Sequence, residues 1–349
     1  MKVAIITDQH FGARKNSKLF HNYFQKFYDE IFFPYLEDNN IDTVIDMGDT
    51  FDNRTGINFS ALSWAKANYF DILRDRKINL TTVVGNHTAY YKNTNAINAC
   101  ELLLREYDNI RVITEYEELK FGGLNIAFVP WVNSDNEENT YKKLKKTKCR
   151  VVMGHLELNG FLANAYHVME HGQDKGIYKD FEKVYSGHYH HRNSQENIHY
   201  LGNPYEIYWN DCGDERGFHI FDTETLEHTP VNNPFGIFEK IYFNDTNYQT
   251  FNATSYKDKI VKVIVQDKGK GTKLDKFIDK LYQAGVAELK TIESFDYGTG
   301  FVTHEYQGQE SEDTLSLLSQ YVDEVETSID KSKVKKILEN VYKEACEVT

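Results

Sequence analysis

What the chain lacks narrows it first. Four cysteines lie scattered at Cys100, Cys149, Cys212 and Cys346, with no C-x-x-C pair among 349 residues. That spacing builds neither a disulfide framework nor a zinc ribbon, and it points to a reducing compartment, the cytoplasm. No apolar stretch approaches the ~20 residues that span a bilayer. The opening "MKVAIITDQH" is too brief for the apolar core of a secretion signal and reads as a first buried strand. A soluble protein with no membrane partner is expected. A basic excess is missing too: 40 Lys and Arg face 53 Asp and Glu, for a formal charge of −13. Wholesale adhesion to nucleic acid is disfavoured, so any basic contact surface has to be local. No internal repeat or low-complexity tract occurs.

What is present suits a globular chain. Hydrophobic residues at 40% and aromatics at 14% suffice to pack cores, and the length suggests roughly two or three units. Five short apolar runs share one pattern. "VAIIT" leads to Asp8, "DTVIDMG" to Asp49, "LTTVVG" to Asn86, "RVVMG" to His155 and "KVYSG" to His188. Each run has buried-strand length and ends at a polar residue able to bind metal. Helical spacings fall between them, at Phe24, Phe27 and Ile31, at Leu62, Ala65, Tyr69, Ile72 and Leu73, and at Ala99, Leu102 and Leu103. Alternating strand and helix implies a largely parallel sheet, whose functional crevice lies at the carboxyl ends of the strands. "LKFGGLNIAFVPW" (119–131) adds a hairpin around Gly-Gly. The expected fold class is mixed α/β and α+β, two packed sheets with helices outside.

Composition shifts after "NNPFG" at 232–236. Residues 1–235 form the first expected domain, and 236–305 a small α+β unit with the order strand, strand, helix, strand. Residues 306–349 form a helical end, in which Val334, Ile337, Leu338, Val341, Tyr342 and Ala345 make one apolar stripe.

The polar residues at the strand ends make an ordered set: D-x-H (Asp8, His10), G-D (Asp49), G-N-H (Asn86, His87), G-H (His155) and G-H-x-H (His188, His190). Any one of these elements arises by chance. All five in order, with glycine before the polar residue in four, where the chain must turn tightly beside a site, form a specific signal. The set suits two divalent cations. Asp49 bridges, Asp8, His10 and His190 complete one site, and Asn86, His155 and His188 the other. Two such cations clamp a phosphate and activate water near neutral pH. The mixed imidazole, carboxylate and amide donors favour Mn2+, Fe2+ or Zn2+ over an all-oxygen cage. His87 is the candidate general acid or transition-state donor. In "VYSGHYHHRN", His188 and His190 alternate toward one site, and His191 is expected behind it or facing substrate. His21, His167, His171, His199, His219, His228 and His304 lie outside this pattern and take ordinary packed or surface roles, His171 being the one to watch.

These motifs resemble the calcineurin-like metallophosphoesterase superfamily. The chain is more closely similar to SbcD-type (meiotic recombination eleven) double-strand-break nucleases, in the tailed-phage version, a recombination endonuclease subunit. The closer resemblance rests on "GNHTAYYKNTNAINA" (85–99), "VPWV" (129–132), "GHLELNGF" (154–161) and "LGNPYEIYWNDCGDERGFHIFDTET" (201–225). It implies an αββα sandwich with a DNA-capping domain, and two metal ions, Mn2+ first and Mg2+ second. It implies 3′ to 5′ exonuclease action on duplex DNA and endonuclease action on single strands, in recombination, repair and replication. It also implies an SbcC-type ABC/SMC ATPase partner with a coiled coil, bound by the stripe at 334–345. A homodimer within a heterotetramer would form through helices at 18–38 and 59–77, in the host cytoplasm if phage-encoded. Two departures stand out. Thr88 replaces the acidic residue that usually follows G-N-H, and Asp52 stands where many members place a second histidine. Local DNA contacts are expected from Arg14, Lys15, Lys18, Arg54 and Lys92 on phosphates and from Tyr90 and Tyr91 stacking on a frayed end. The alternatives are a nucleotide phosphodiesterase or phosphatase of the same superfamily, and a scaffold subunit that no longer cuts.

Overall fold

The computed structural model describes residues 1–164, 167–266 and 271–293, and beyond them 322, 331 and 333–335. The chain divides into two compact units, residues 1–298 and 299–349. Of the apolar stripe in the second, Val334 is described, half-buried in a helical turn. Ile337, Leu338, Val341 and Tyr342 lie outside the described residues, as does His304.

The runs that lead to Asp8, Asp49 and Asn86 become the strands Lys2–Ile6, Thr43–Asp46 and Asn79–Val83, side by side and parallel. Ile110–Ile113 extends them in parallel on one side, and Gly217–Asp222 and His228–Asn232 add antiparallel edges on the other. The second sheet repeats the plan. Lys183–Ser186, Val151–Gly154 and Leu124–Val129 are parallel, and Glu117–Phe121 closes the hairpin expected at Gly122-Gly123. The central strands are apolar on both faces because each sheet packs its sister on one side and other elements on the other. Val3, Ile5, Ile45, Met47 and Val83 meet Ile126, Phe128, Val151, Met153 and Tyr185 in an apolar core between the sheets.

The outer face of the first sheet carries two long helical segments, 18–38 and 59–75. Each widens by one turn at its middle, at Tyr28–Phe32 and Lys66–Phe70. Those turns carry Tyr28 and Tyr69, both fully buried with ring centroids 5.1 Å apart. The short helix Ala99–Leu104 differs from its expected stripe: Cys100 and Leu104 are buried while Leu102 is 58% exposed. Asn98 caps this helix through Glu101 N–H and fixes its rotation, turning positions 100 and 104 inward.

Beyond Gly236, the strands Phe238–Tyr242, Ile260–Val265 and Glu288–Glu293 form a parallel three-stranded sheet. The helix Gly271–Gln283 crosses over it. Val261, Val263, Phe277 and Leu281 make a core of their own there.

Candidate metal centre

Five loops at the carboxyl ends of the parallel strands meet where the two sheets adjoin. Sequence reasoning assigned the tight turning to the glycines before the polar residues. Of those glycines, only Gly48 has a positive φ, at 105°. The left-handed conformation falls on the expected ligands: Asp8 (φ 53°), His10 (47°), Asp49 (51°) and His188 (85°). Residues rarely adopt it without an over-determining environment, and such strain gathers at functional sites. Gly85 and Gly187 serve close approach instead. A Cβ on Gly85 would stand 2.2 Å from Asp49 Oδ1, and one on Gly187 would stand 2.0 Å from Thr7 Oγ1 and 2.8 Å from Asp8 Oδ2.

The side chains converge in two groups. In the first, His10 Nε2 faces His190 Nε2 at 3.1 Å, and Asp8 Oδ1 is 3.9 Å from each. In the second, Asn86 Oδ1 lies 2.9 Å from both His155 Nε2 and His188 Nδ1, and Asp49 Oδ2 is 3.1 Å from His155 Nε2. Two imidazole nitrogens at 3.1 Å share one hydrogen between them, and it is the convergence of both with the Asp8 carboxylate on one place that makes the donor set fit a metal. Asp8, His10 and His190 can hold one ion; Asp49, His155 and His188, with the Asn86 amide, can hold a second. His155 donates Nδ1–H to Met47 O at 2.8 Å, which leaves Nε2 as the ligating nitrogen.

His87 stands beside the first group, its ring edge-on to His10 at 4.8 Å. Its backbone N–H donates to Asp49 Oδ1 at 2.8 Å, and its Nδ1 donates to Asp52 O at 2.6 Å. Nε2 is therefore the nitrogen left for a substrate oxygen. The two departures find their explanation here. Thr88 closes the loop on itself, accepting from Gly85 N–H and donating to Gly85 O, while the Asp52 carbonyl orients His87. The Asp52 carboxylate approaches His10 Nδ1 at 3.2 Å, the place of a partner behind a metal-binding imidazole. His191 Nδ1 lies 2.6 Å from Asp214 Oδ2, so it stands behind the centre. His171 is exposed.

Sequence reasoning missed the groups that brace these loops. Asp46 is fully buried and accepts from Gly48 N–H, Thr50 Oγ1 and Gln9 Nε2 at 2.6–3.1 Å, which ties the Asp49 loop to the Asp8–His10 loop. Tyr28 and Tyr205 close over it, donating to Gln9 Oε1 and Gln9 O. Arg216, also buried, binds His190 O, Asn203 Oδ1, Asp211 and Asp214. No motif marks these residues: their near partners, Gly48 and Thr50 for Asp46 and Asp211 and Asp214 for Arg216, follow no spacing rule, and Gln9 and His190, which they tie in, are distant in sequence.

Electrostatics divide the histidines. Burial pushes Asp49 up, but His155, His87 and His10 outweigh it and hold the carboxyl well below its usual range. Burial raises Asp8, an effect His155 opposes. For His155, burial acts downward, yet Asp49 and Asp8 carry it up to about 9. Burial, then the charge of His155, lowers His188 to about 3. Without cations, the carboxylates thus draw protons onto His155 and also onto His10, where burial acts downward but Asp52, Asp49 and Asp8 outweigh it, and metal binding expels them. Burial also lifts Asp46 to about 7 against its three hydrogen bonds.

The expected DNA-contacting residues border the loops. Arg14 and Lys15 are exposed on a left-handed turn (φ 56° for both) just after His10, with Lys18 exposed beyond it. Arg54 lies over the Trp131 ring at 5.7 Å. Tyr90 and Tyr91 are 42% and 49% exposed on the hairpin after His87, and Lys92 is exposed at its tip.

A family model for calcineurin-like phosphoesterases matches residues 1–192. Among curated proteins, exonuclease subunit 1 of Enterobacteria phage T4 is 29% identical over 318 residues, covering 89% of this chain and 90% of that protein. A solved structure described as a novel archaeal phosphodiesterase is 13% identical, with TM-score 0.35 over 67% of this chain and 100% of that one.

Proposed function

From the premise that this chain belongs to the calcineurin-like phosphoesterase family, we propose that it is a DNA nuclease: a 3′ to 5′ exonuclease on duplex DNA and an endonuclease on single strands. The observation that carries this is the gathering of the expected ligands into two groups, Asp8, His10 and His190 in one and Asp49, Asn86, His155 and His188 in the other, with His87 beside them. The exonuclease-named relative, aligned over nine-tenths of its length, supports a nucleic acid over a small phosphoester as the substrate. Two divalent cations, Mn2+ or Mg2+, would clamp the scissile phosphate and activate the attacking water.

The chain's own groups do the rest. Asp8, His10 and His190, and Asn86, His155 and His188, hold the two positions, with Asp49 between. His87, its Nδ1 hydrogen committed to Asp52 O, donates from Nε2 as the imidazolium to a phosphate or leaving oxygen and so stabilises the charge that develops there. Arg14, Lys15, Lys18, Arg54 and Lys92 neutralise backbone phosphates, and Tyr90 and Tyr91 stack on unpaired bases. Residues 236–305 cap the DNA. The stripe Val334, Ile337, Leu338, Val341 and Tyr342 binds an SbcC-type ATPase, within a heterotetramer built on a homodimer of this chain.

The test is release of label from 3′-labelled linear duplex DNA with Mn2+, Mg2+ or EDTA, for the wild type beside Asp49→Asn. Metal-dependent release that the variant loses is expected. Hydrolysis of a small phosphodiester alone, with DNA untouched even when the ATPase is added, would refute the nuclease reading. Deleting 312–349 is expected to abolish ATPase binding and to spare cutting of short DNA.

A further inference from the structure

Three histidines outside the centre come together where an edge of the first sheet meets the second. His219 stands on the strand Gly217–Asp222, His228 on its antiparallel neighbour His228–Asn232, and His199 on Ile198–Tyr200 of the other sheet. His228 is the middle member, with ring centroids 5.1 Å from His199 and 5.1 Å from His219. Within the centre, His155 and His188, expected on one ion, are spaced alike at 5.2 Å. Tyr185 walls the cluster, stacked on His199 and edge-on to His228, its hydroxyl held by Leu226 O.

Each of the three carries a buried ring nitrogen with no hydrogen-bond partner in the protein: His199 Nε2, His219 Nδ1 and His228 Nδ1. For two of them, the opposite nitrogen is engaged. His219 Nε2 lies 3.0 Å from Leu201 O, which can only accept, so His219 Nδ1 bears a lone pair. His199 Nδ1 lies 2.9 Å from Ser194 Oγ. An imidazole fixed by a carbonyl on one nitrogen and bare on the other is the arrangement of a metal ligand. Burial lowers all three, to about 3 for His219 and about 4 for His228, so they are neutral at physiological pH, the form that binds metal.

We propose that His199, His219 and His228 form an additional transition-metal site that clasps the two sheets together. With three neutral nitrogens and no carboxylate, it takes a borderline ion of the Zn2+, Cu2+ or Ni2+ kind and not Mg2+ or Ca2+. The three donors are not yet gathered to one point. Among the described residues, only the groups of the main centre bring three ligand atoms within 4.8 Å of one another. Loading therefore draws the outer two rings toward His228, and a water completes the shell. The site is separate from the proposed nuclease chemistry and stands whether or not that chemistry is correct.

The experiment counts Zn2+ on full-length protein, stripped with chelator and then equilibrated with micromolar Zn2+. Wild type is compared with His228→Gln and His199→Gln, both at half-exposed positions that leave the sheet pairing intact, with folding checked by circular dichroism. The expected result is one ion per chain fewer in each folded variant, with phosphodiesterase activity unchanged. An equal count in the wild type and in either folded variant overturns the proposal. So does a variant that loses activity in step with the ion, because the lost ion then belonged to the main centre.

Discussion

The metal centre and the small sheet beyond Gly236 are built on opposite principles. In the small unit, Val261, Val263, Phe277 and Leu281 pack an ordinary amphipathic helix onto parallel strands, and among its described residues the only non-glycine with a positive φ is Asp258, in a turn. At the centre, four expected ligands adopt that conformation, and the buried side chains Asp8, His10, Asp46, Asp49 and His155 are polar. The small unit has the features of a region organised for stability. The centre holds groups that repel and strain one another, and its loops are fixed by Asp46 and Arg216 beneath them. A left-handed residue costs about 1–3 kcal/mol where it is not glycine, so the centre draws on the stability of the sheets around it.

Substitutions in the two regions should therefore separate activity from stability. On cleavage rate, Asp49→Asn comes first: removing the carboxylate proposed to bridge the two positions lowers the rate by about 10³-fold or more, since losing one electrostatic stabiliser alone costs about 10²–10³. Metal counting should show the ions gone while circular dichroism stays native. His87→Ala follows, with a loss of about 10²–10⁴ and both ions retained. Loss of the ions in that variant would mean that ligand and catalyst had been mis-sorted. Asp52→Asn acts through His10 and should weaken metal binding by about 10–100-fold, so that added metal rescues its rate. Phe277→Ala, in the small core, should cost about 3–5 kcal/mol of local stability and leave cutting of a short substrate unchanged. If it slowed cutting of short substrates as much as Asp52→Asn does, the two regions would not be separable.

Much of this contrast was legible in the sequence. Each expected ligand closes a contiguous strand, so motif and geometry coincide, and the hairpin at Gly122-Gly123 and the strand–helix–strand order after 236 followed from local pattern. What escaped had no local signature. Asp46 sits inside an apolar run and reads as a strand residue; its importance lies in Gln9, 37 positions away. Arg216 braces His190 from 26 positions away. Glycine before the polar residues was noticed, but the left-handed turns fall on the ligands themselves, and three of the four glycines are there for other reasons. His199, His219 and His228 lie on three strands of two sheets, and no spacing rule joins them.

The smallest predicted effect comes from that histidine cluster and sets it against the centre. Carboxylates face His155 and carry it up to about 9, whereas Lys183 and Arg192 add to burial around His219 and His228 and outweigh Glu227. A histidine whose folded value is lowered stays neutral in the native state, while the unfolded chain takes up a proton near pH 6.5. Stability from the cluster is thus full above about pH 6.5 and is lost progressively as the pH falls toward about 4. In EDTA, which removes the influence of bound metal, thermal unfolding should show a midpoint that declines over this window. The decline should be shallower in His228→Gln and unchanged in an exposed control outside the cluster, His171→Gln. Were all three proteins to decline in parallel, the acid sensitivity would belong to the carboxylates and not to the cluster.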